Sequence, residues 1–192
     1  TNTGAKIEKA IPFVLDKPVV YYGSSITQGG CASHPGMSYQ AIISRNLSLD
    51  FVNLGFSGNG MGEPEVAEIV ASIDASCYVM DFGVNLPSAD SVASVYDPFL
   101  DIIRKKRPNI PIICITPIYN AHEFWEPNKA TFMRDVIRKK VAKRRAFGDE
   151  KILLVEGFEL LVPNSQMDSL TPFIPMIWDF RQWRKDCSHI LC

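Results

Sequence analysis

Five short runs of apolar, β-branched and aromatic residues, at 18–22, 51–54, 77–82, 110–115 and 152–155, alternate with longer stretches that carry helical signals. Each run has the length and composition of a buried strand. The intervening stretches, 37–47, 63–73, 88–106 and 128–147, read as helices; Pro64 suits a first helical turn, and Pro108 and Pro111 punctuate the exit from the third. Strand following helix throughout leaves few solutions. Parallel strands need right-handed crossovers, and these lay helices on both faces of a doubly wound α/β sheet.

For five strands the flavodoxin-like order 2-1-3-4-5 fits best. With 192 residues, 46% of them hydrophobic, the chain fits one domain with a sizeable core. Residues 1–16 are expected to be a lead-in, the tail of a removed N-terminal module, and 17–192 the domain, with 167–192 divergent. A net charge of -1 offers no electrostatic reason to expect nucleic acid or an anionic membrane as partner. No apolar stretch reaches the roughly 18 residues of a membrane span, and the compartment is left open. Cys31, Cys77, Cys114, Cys187 and Cys192 are odd in number and lack CxxC spacing, which speaks against a zinc knuckle or a disulfide framework. Cys77 and Cys114 read as small core residues. The basic run 134–145 reads as the solvated face of a helix whose Met133, Val136, Ile137 and Val141 turn inward.

The loops after the first three strands carry the chemistry. In Val19-Val20-Tyr21-Tyr22-Gly23-Ser24-Ser25-Ile26-Thr27-Gln28-Gly29 a buried strand stops at a glycine and delivers a serine pair. Open parallel sheets bind ligands outside the carboxyl ends of their strands. Gly23 is expected to permit a sharp turn, and the hydroxyls beyond it to satisfy helix-start amides. A plain serine cap explains the segment about as well as a nucleophile does. After strand two, Asn53-Leu54-Gly55-Phe56-Ser57-Gly58-Asn59-Gly60-Met61-Gly62 has the glycines of a phosphate cradle but neither GxGxxG nor GxxxxGK spacing. The same loop can instead turn the Gly58 amide toward a developing oxyanion, an approach that a side chain would obstruct. After strand three, Asp81-Phe82-Gly83-Val84-Asn85 places a neutral amide donor at the neighbouring strand end.

Gly-x-Ser-Ile-Thr-Gln-Gly, then Asn-x-Gly-x-Ser-Gly-Asn, then Gly-x-Asn, in that order from about residue 17 to 158, resembles the SGNH (GDSL-type) hydrolase family, and most closely its Tyr-Gly-Ser-Ser-Ile-Thr-Gln-Gly branch. The resemblance implies a serine ester hydrolase that needs no metal or organic cofactor. Ser25 would be the nucleophile, and the Ser25 and Gly58 amides with the Asn85 side chain would form the oxyanion hole. The implied substrate is a small-molecule ester of short acyl chain, with acetylated carbohydrate as the example the family suggests.

Two departures stand out. Ser24 occupies the place where many members have aspartate. After Leu161 the family's Asp-x-x-His-Pro is missing, so Ser25 has no evident group to take its proton. Back-translating residues 170–184 and reading each codon one nucleotide earlier permits Asp-Thr-Val-His-Pro-Asn-Asp-Leu-Gly-Phe-Gln-Ala-Met-Ala. Two letters are forced: Met176 before Ile177 yields Asp, and Trp178 before Asp179 yields Gly, both where the family's His-Pro-x-Asp-x-Gly-Phe pattern wants them. A frameshift near 167–170 is the resulting hypothesis, and a genuine, divergent C-terminus its alternative. The gene's codons decide between them: absence of His-Pro in the alternate frame removes the frameshift. Asp186-Cys187-Ser188-His189 meets the bare Asp-x-x-His spacing without the following proline.

His34 reads as a solvent-facing loop residue near the substrate mouth. His122, beside Phe124 and Trp125, reads as part of a rim able to stack on a sugar or acyl group; no second ligand has spacing suited to a metal. Asp81 reads as a structural acceptor for loop amides, with orientation of a base as the functional alternative. Two rival functions share the fold: a catalytically silent binding module, and a nucleotide or flavin binder that here lacks phosphate-loop chemistry.

Overall fold

The structure, a computed structural model, describes residues 4–6, 8–30, 32–119 and 121–160. The readings placed on the tail, including the frameshift, the missing Asp-x-x-His and His189, lie outside these residues.

Strands β1 (Val19–Gly23), β2 (Phe51–Gly55), β3 (Cys77–Asp81), β4 (Ile112–Ile115) and β5 (Ile152–Val155) form one parallel sheet. Its order is 2-1-3-4-5, as expected. Between the strands run α2 (Tyr39–Leu47), α3 (Pro64–Ser72), α4 (Ala89–Lys106) and α5 (Pro127–Ala146), within two residues of the stretches read from the sequence. Two further helices, α1 (Ser25–Gln28) and α6 (Gly157–Leu160), are single turns with too few residues to register as a helical period. Pro35–Met37 and Ala121–Phe124 form 3-10 turns.

Side chains alternate across the strands, so β1 feeds two separate cores. Val20 and Tyr22 join Tyr78, Met80, Ile112 and Cys114 beneath α3, α4 and α5. Val19 and Tyr21 join Cys77, Val79 and Ile113 beneath α2, where Tyr39 and Ile43 cover them. Cys77 and Cys114 are buried thiols, as the sequence suggested. The first core is aromatic at the functional end: the Tyr22 and Phe99 rings stack with centroids 4.7 Å apart, and those of Phe82 and Tyr96 at 4.8 Å. Such pairs add roughly 0.5–1.5 kcal/mol beyond the area they bury.

The inward face of α5 is as expected, with Met133, Ile137 and Val141 buried. Its basic face differs from the expectation. Arg134, at the head of the run, is buried and paired with Glu123. Arg138 pairs with Glu156 and Asp135, Lys140 with Asp97, and Arg144 with Asp97 and Asp101. Much of this charge therefore docks α5 onto α4 and β5 rather than standing free in water. Spacing along one helix does not record the acids that neighbouring elements bring to it. Among the described residues no helix is long and apolar enough to cross a membrane.

Candidate active site

β1 lies between β2 and β3, and the crossovers through α2 and α3 leave on opposite faces, so the strand order reverses at the carboxyl end of β1. A crevice opens at such a reversal. The chain there enters α1 through Ser24, which is fully buried in an extended conformation and caps the helix by accepting the Ile26 amide at 3.3 Å. The serine pair thus divides its work: Ser24 is the cap, and Ser25, half-buried, is the first helical residue.

Gly23 serves a different purpose from the sharp turn expected of it. It is the last residue of β1, and a Cβ there would collide with the Thr27 hydroxyl and the Asp81 carbonyl oxygen. Close approach of α1 and β3, rather than an unusual φ, demands glycine.

Below Ser25, the buried Thr27 is a junction. Its hydroxyl donates to Asp81 Oδ2 at 2.9 Å, and its carbonyl accepts from Gln40 Nε2 at 2.7 Å and Asn53 Nδ2 at 2.9 Å. Tyr39 also donates to Asp81 Oδ2, at 3.3 Å. Asp81 is thus an acceptor as expected, but for two hydroxyls of α1 and α2 rather than for loop amides. Burial pushes its carboxyl up to about 6, against the opposing pull of the Thr27 and Tyr39 hydrogen bonds. The Tyr39 phenol is pushed well above its ordinary value, first by burial and then by the Asp81 charge.

The loop after β2 packs onto the end of β1. Phe56 N–H donates to the Gly23 carbonyl, Gly62 N–H to the Tyr22 hydroxyl, and that hydroxyl donates to Glu63 at 2.8 Å. Gly58 is exposed with open space where a Cβ would stand, so its left-handed φ of 68°, and not the crowding expected from the sequence, is what favours glycine there. Asn85 reaches across from the β3 exit and donates through Nδ2 to the Asn59 carbonyl at 2.6 Å. The second Nδ2 hydrogen is left for another acceptor.

Ser25 and Asn85 line the same cleft, of about 440 Å³; Gly58 is not among its lining residues, and the glycine loop is tied to it at the next residue, through the Asn59–Asn85 bond. Ile26, Val84, Pro117 and Met133 supply apolar wall, while Glu123, Glu126 and Lys129 bring charge to the far side. The sequence reading missed these last residues. Glu126, Lys129, Ala130 and Met133 follow helical spacing, but the strand end toward which that face turns is decided by packing. His34 is exposed, with Nδ1 3.0 Å from the Ser33 hydroxyl, and is not among the cleft-lining residues. The Ala121–Phe124 turn brings Glu123 to the cleft, and the adjoining Phe124 and Trp125 stand 75% and 78% exposed. Among the described residues no cluster of three or more metal-ligating side chains occurs.

Comparison with known proteins agrees with this fold. The chain resembles a protein described as a GDSL-like lipase from Bacteroides ovatus, with 30% identity and a TM-score of 0.79 over 94% of this chain and 54% of that one. A salicylyl-acyltransferase from a tetracycline biosynthetic pathway shares the fold at 20% identity and TM-score 0.73, over 98% and 59% of the two chains. So does a family two carbohydrate esterase from Clostridium thermocellum solved with cellohexaose, at 16% and 0.69 over 95% and 67%. The chain therefore spans little more than half of the first two. No curated protein matches it. The profile of the GDSL-like Lipase/Acylhydrolase family matches residues 16–165, over the sheet and all three loops, and the chain belongs to that family.

Proposed function

We propose that the chain is a serine ester hydrolase acting on small acyl esters. Ser25 Oγ attacks the ester carbonyl and expels the alcohol; water then attacks the acyl-serine and releases the acid. The Ser25 and Gly58 amides and the free Asn85 Nδ2 hydrogen donate to the oxyanion of each tetrahedral intermediate. The observation that carries this reading is the shared cleft: a half-buried serine at a helix start and a carboxamide from the neighbouring strand open onto one space, with the glycine loop bonded to that carboxamide.

The missing Asp-x-x-His-Pro sets the expected rate. Losing a general base removes typically 10²–10⁴-fold, so turnover is expected to be slow. Acylated carbohydrate is the favoured substrate class, because Phe124 and Trp125 are exposed between the cleft-lining Glu123 and Glu126 and carbohydrate esterases share the fold.

Intact-mass measurement after treatment with a fluorophosphonate tests the reading. One adduct is expected, located at Ser25 by peptide mapping and missing from Ser25→Ala. A chain that takes no adduct is instead the silent binding module of the same fold.

A further inference from the structure

We propose that Asp81 is a positioning residue: by accepting the Thr27 hydroxyl, its buried carboxylate holds the one-turn helix of Ser25 in register with the strand that delivers Asn85. The proposal rests on Ser25 being the nucleophile. A helix of four residues cannot sustain itself, since nucleation is unfavourable by a factor of about 10⁻³. Its placement is therefore set from outside, and the outside contacts meet at Thr27. Gln40 from α2 and Asn53 from β2 grip the Thr27 carbonyl. Among the described residues, the Thr27–Asp81 bond is the side-chain hydrogen bond that ties α1 to β3. Asp81 ends β3 and Asn85 lies four residues on, so one strand end places both the nucleophile's support and the oxyanion donor.

A neutral amide of the same size would fill this site without the cost of a buried charge. The groups facing Asp81 are Thr27 from α1 and Tyr39 from α2, with the Tyr96 phenol of α4 close enough to be pushed up partly by the Asp81 charge. None is a cation, and among the described residues Asp81 forms no ion pair. Such a carboxylate is retained at the expense of stability, the pattern of a group kept for function. The charge strengthens the hydrogen bond that the hydroxyl donates to it. The sign of the pH effect follows. With the folded-state carboxyl at about 6 against an ordinary 3.8, the folded chain holds a proton that the unfolded chain has released. The stability this group contributes is complete below the ordinary value and is lost as pH rises through about 6.

Asp81→Asn tests this with three readouts. Fluorophosphonate labelling of Ser25 at pH 7.5 is expected to fall roughly 10- to 100-fold, the size of effect that a small misplacement produces. The variant is expected to melt at or above the parent's temperature at pH 7.5, the gap closing as pH is lowered to 4. Hydrogen-exchange protection at the Gln28 and Gly30 amides, which bond the Ser24 and Ser25 carbonyls, is expected to drop at pH 7.5. Thr27→Val should label as slowly as Asp81→Asn, and Thr27→Ser should restore the parent rate. Labelling within twofold of the parent, or lower stability at every pH with the α1 exchange unchanged, overturns the proposal. If the parent itself takes no label, the hydrolase reading falls alone, and the exchange and melting experiments still decide whether Asp81 anchors α1.

Discussion

Arg134→Ala is expected to lower folding stability by roughly 3–5 kcal/mol, the cost of breaking a buried ion pair from one side. It should appear as a lower urea midpoint with an unchanged slope. The Arg134 and Glu123 side chains are 4% and 9% exposed and joined by two parallel hydrogen bonds of 2.8 and 2.6 Å. Arg134 also donates to the Pro117 and Ile118 carbonyls just past β4, and its guanidinium lies 5.0 Å from the centre of the Phe158 ring. Alanine would take the guanidinium away from a buried carboxylate and two carbonyls at once. The double variant Arg134→Met, Glu123→Leu should recover only part of the loss, because removing both charges still leaves those carbonyls without their donor. Pro117 and Glu123 line the cleft, so Ser25 labelling should slow in the single variant even under conditions where it stays folded.

Asn85→Ala is expected to slow fluorophosphonate labelling of Ser25 by about 10²–10³-fold, equivalent to roughly 3–4 kcal/mol of lost oxyanion stabilisation. Stability should change by no more than about 1 kcal/mol, because the hydrogen bond to Asn59 is solvent-exposed. Asn85→Asp separates donation from shape. The carboxylate fits the same space yet offers no hydrogen, and it repels both the Asn59 carbonyl and a developing oxyanion. It should label at least as slowly as alanine. Equal labelling rates in all three proteins would remove Asn85 from the oxyanion hole.

Labelling rather than turnover is the more direct readout of Ser25, since the sequence after Leu161 lacks the family's Asp-x-x-His-Pro. Phosphonylation also requires Ser25 to give up its proton, but one irreversible addition suffices and accumulates over long exposure, whereas hydrolysis needs proton transfer at every step of every cycle.

The strands were legible because each is buried on both faces, and burial on both faces writes an uninterrupted apolar run such as Val19 to Tyr22. Helices α2 to α5 were legible from caps and prolines that act within one turn, as Pro64 does. That Ser25, Gly58 and Asn85 would share one edge of the sheet was legible for a topological reason: residues just past parallel strands lie on that edge whatever the packing details.

What the sequence determined by itself was therefore the alternation of elements, their order in the sheet and the edge that gathers the loops after the first three strands. The tertiary structure alone decided that Arg134 is a buried partner of Glu123 and not a solvated charge. It also decided that Gly23 is small for the sake of Thr27 and Asp81, and that a carboxylate lies beneath the serine helix. Each of these depends on which residues, distant in sequence, share a space too small for water. Periodicity along a chain reports a residue's direction, and only the assembled fold reports what it meets there.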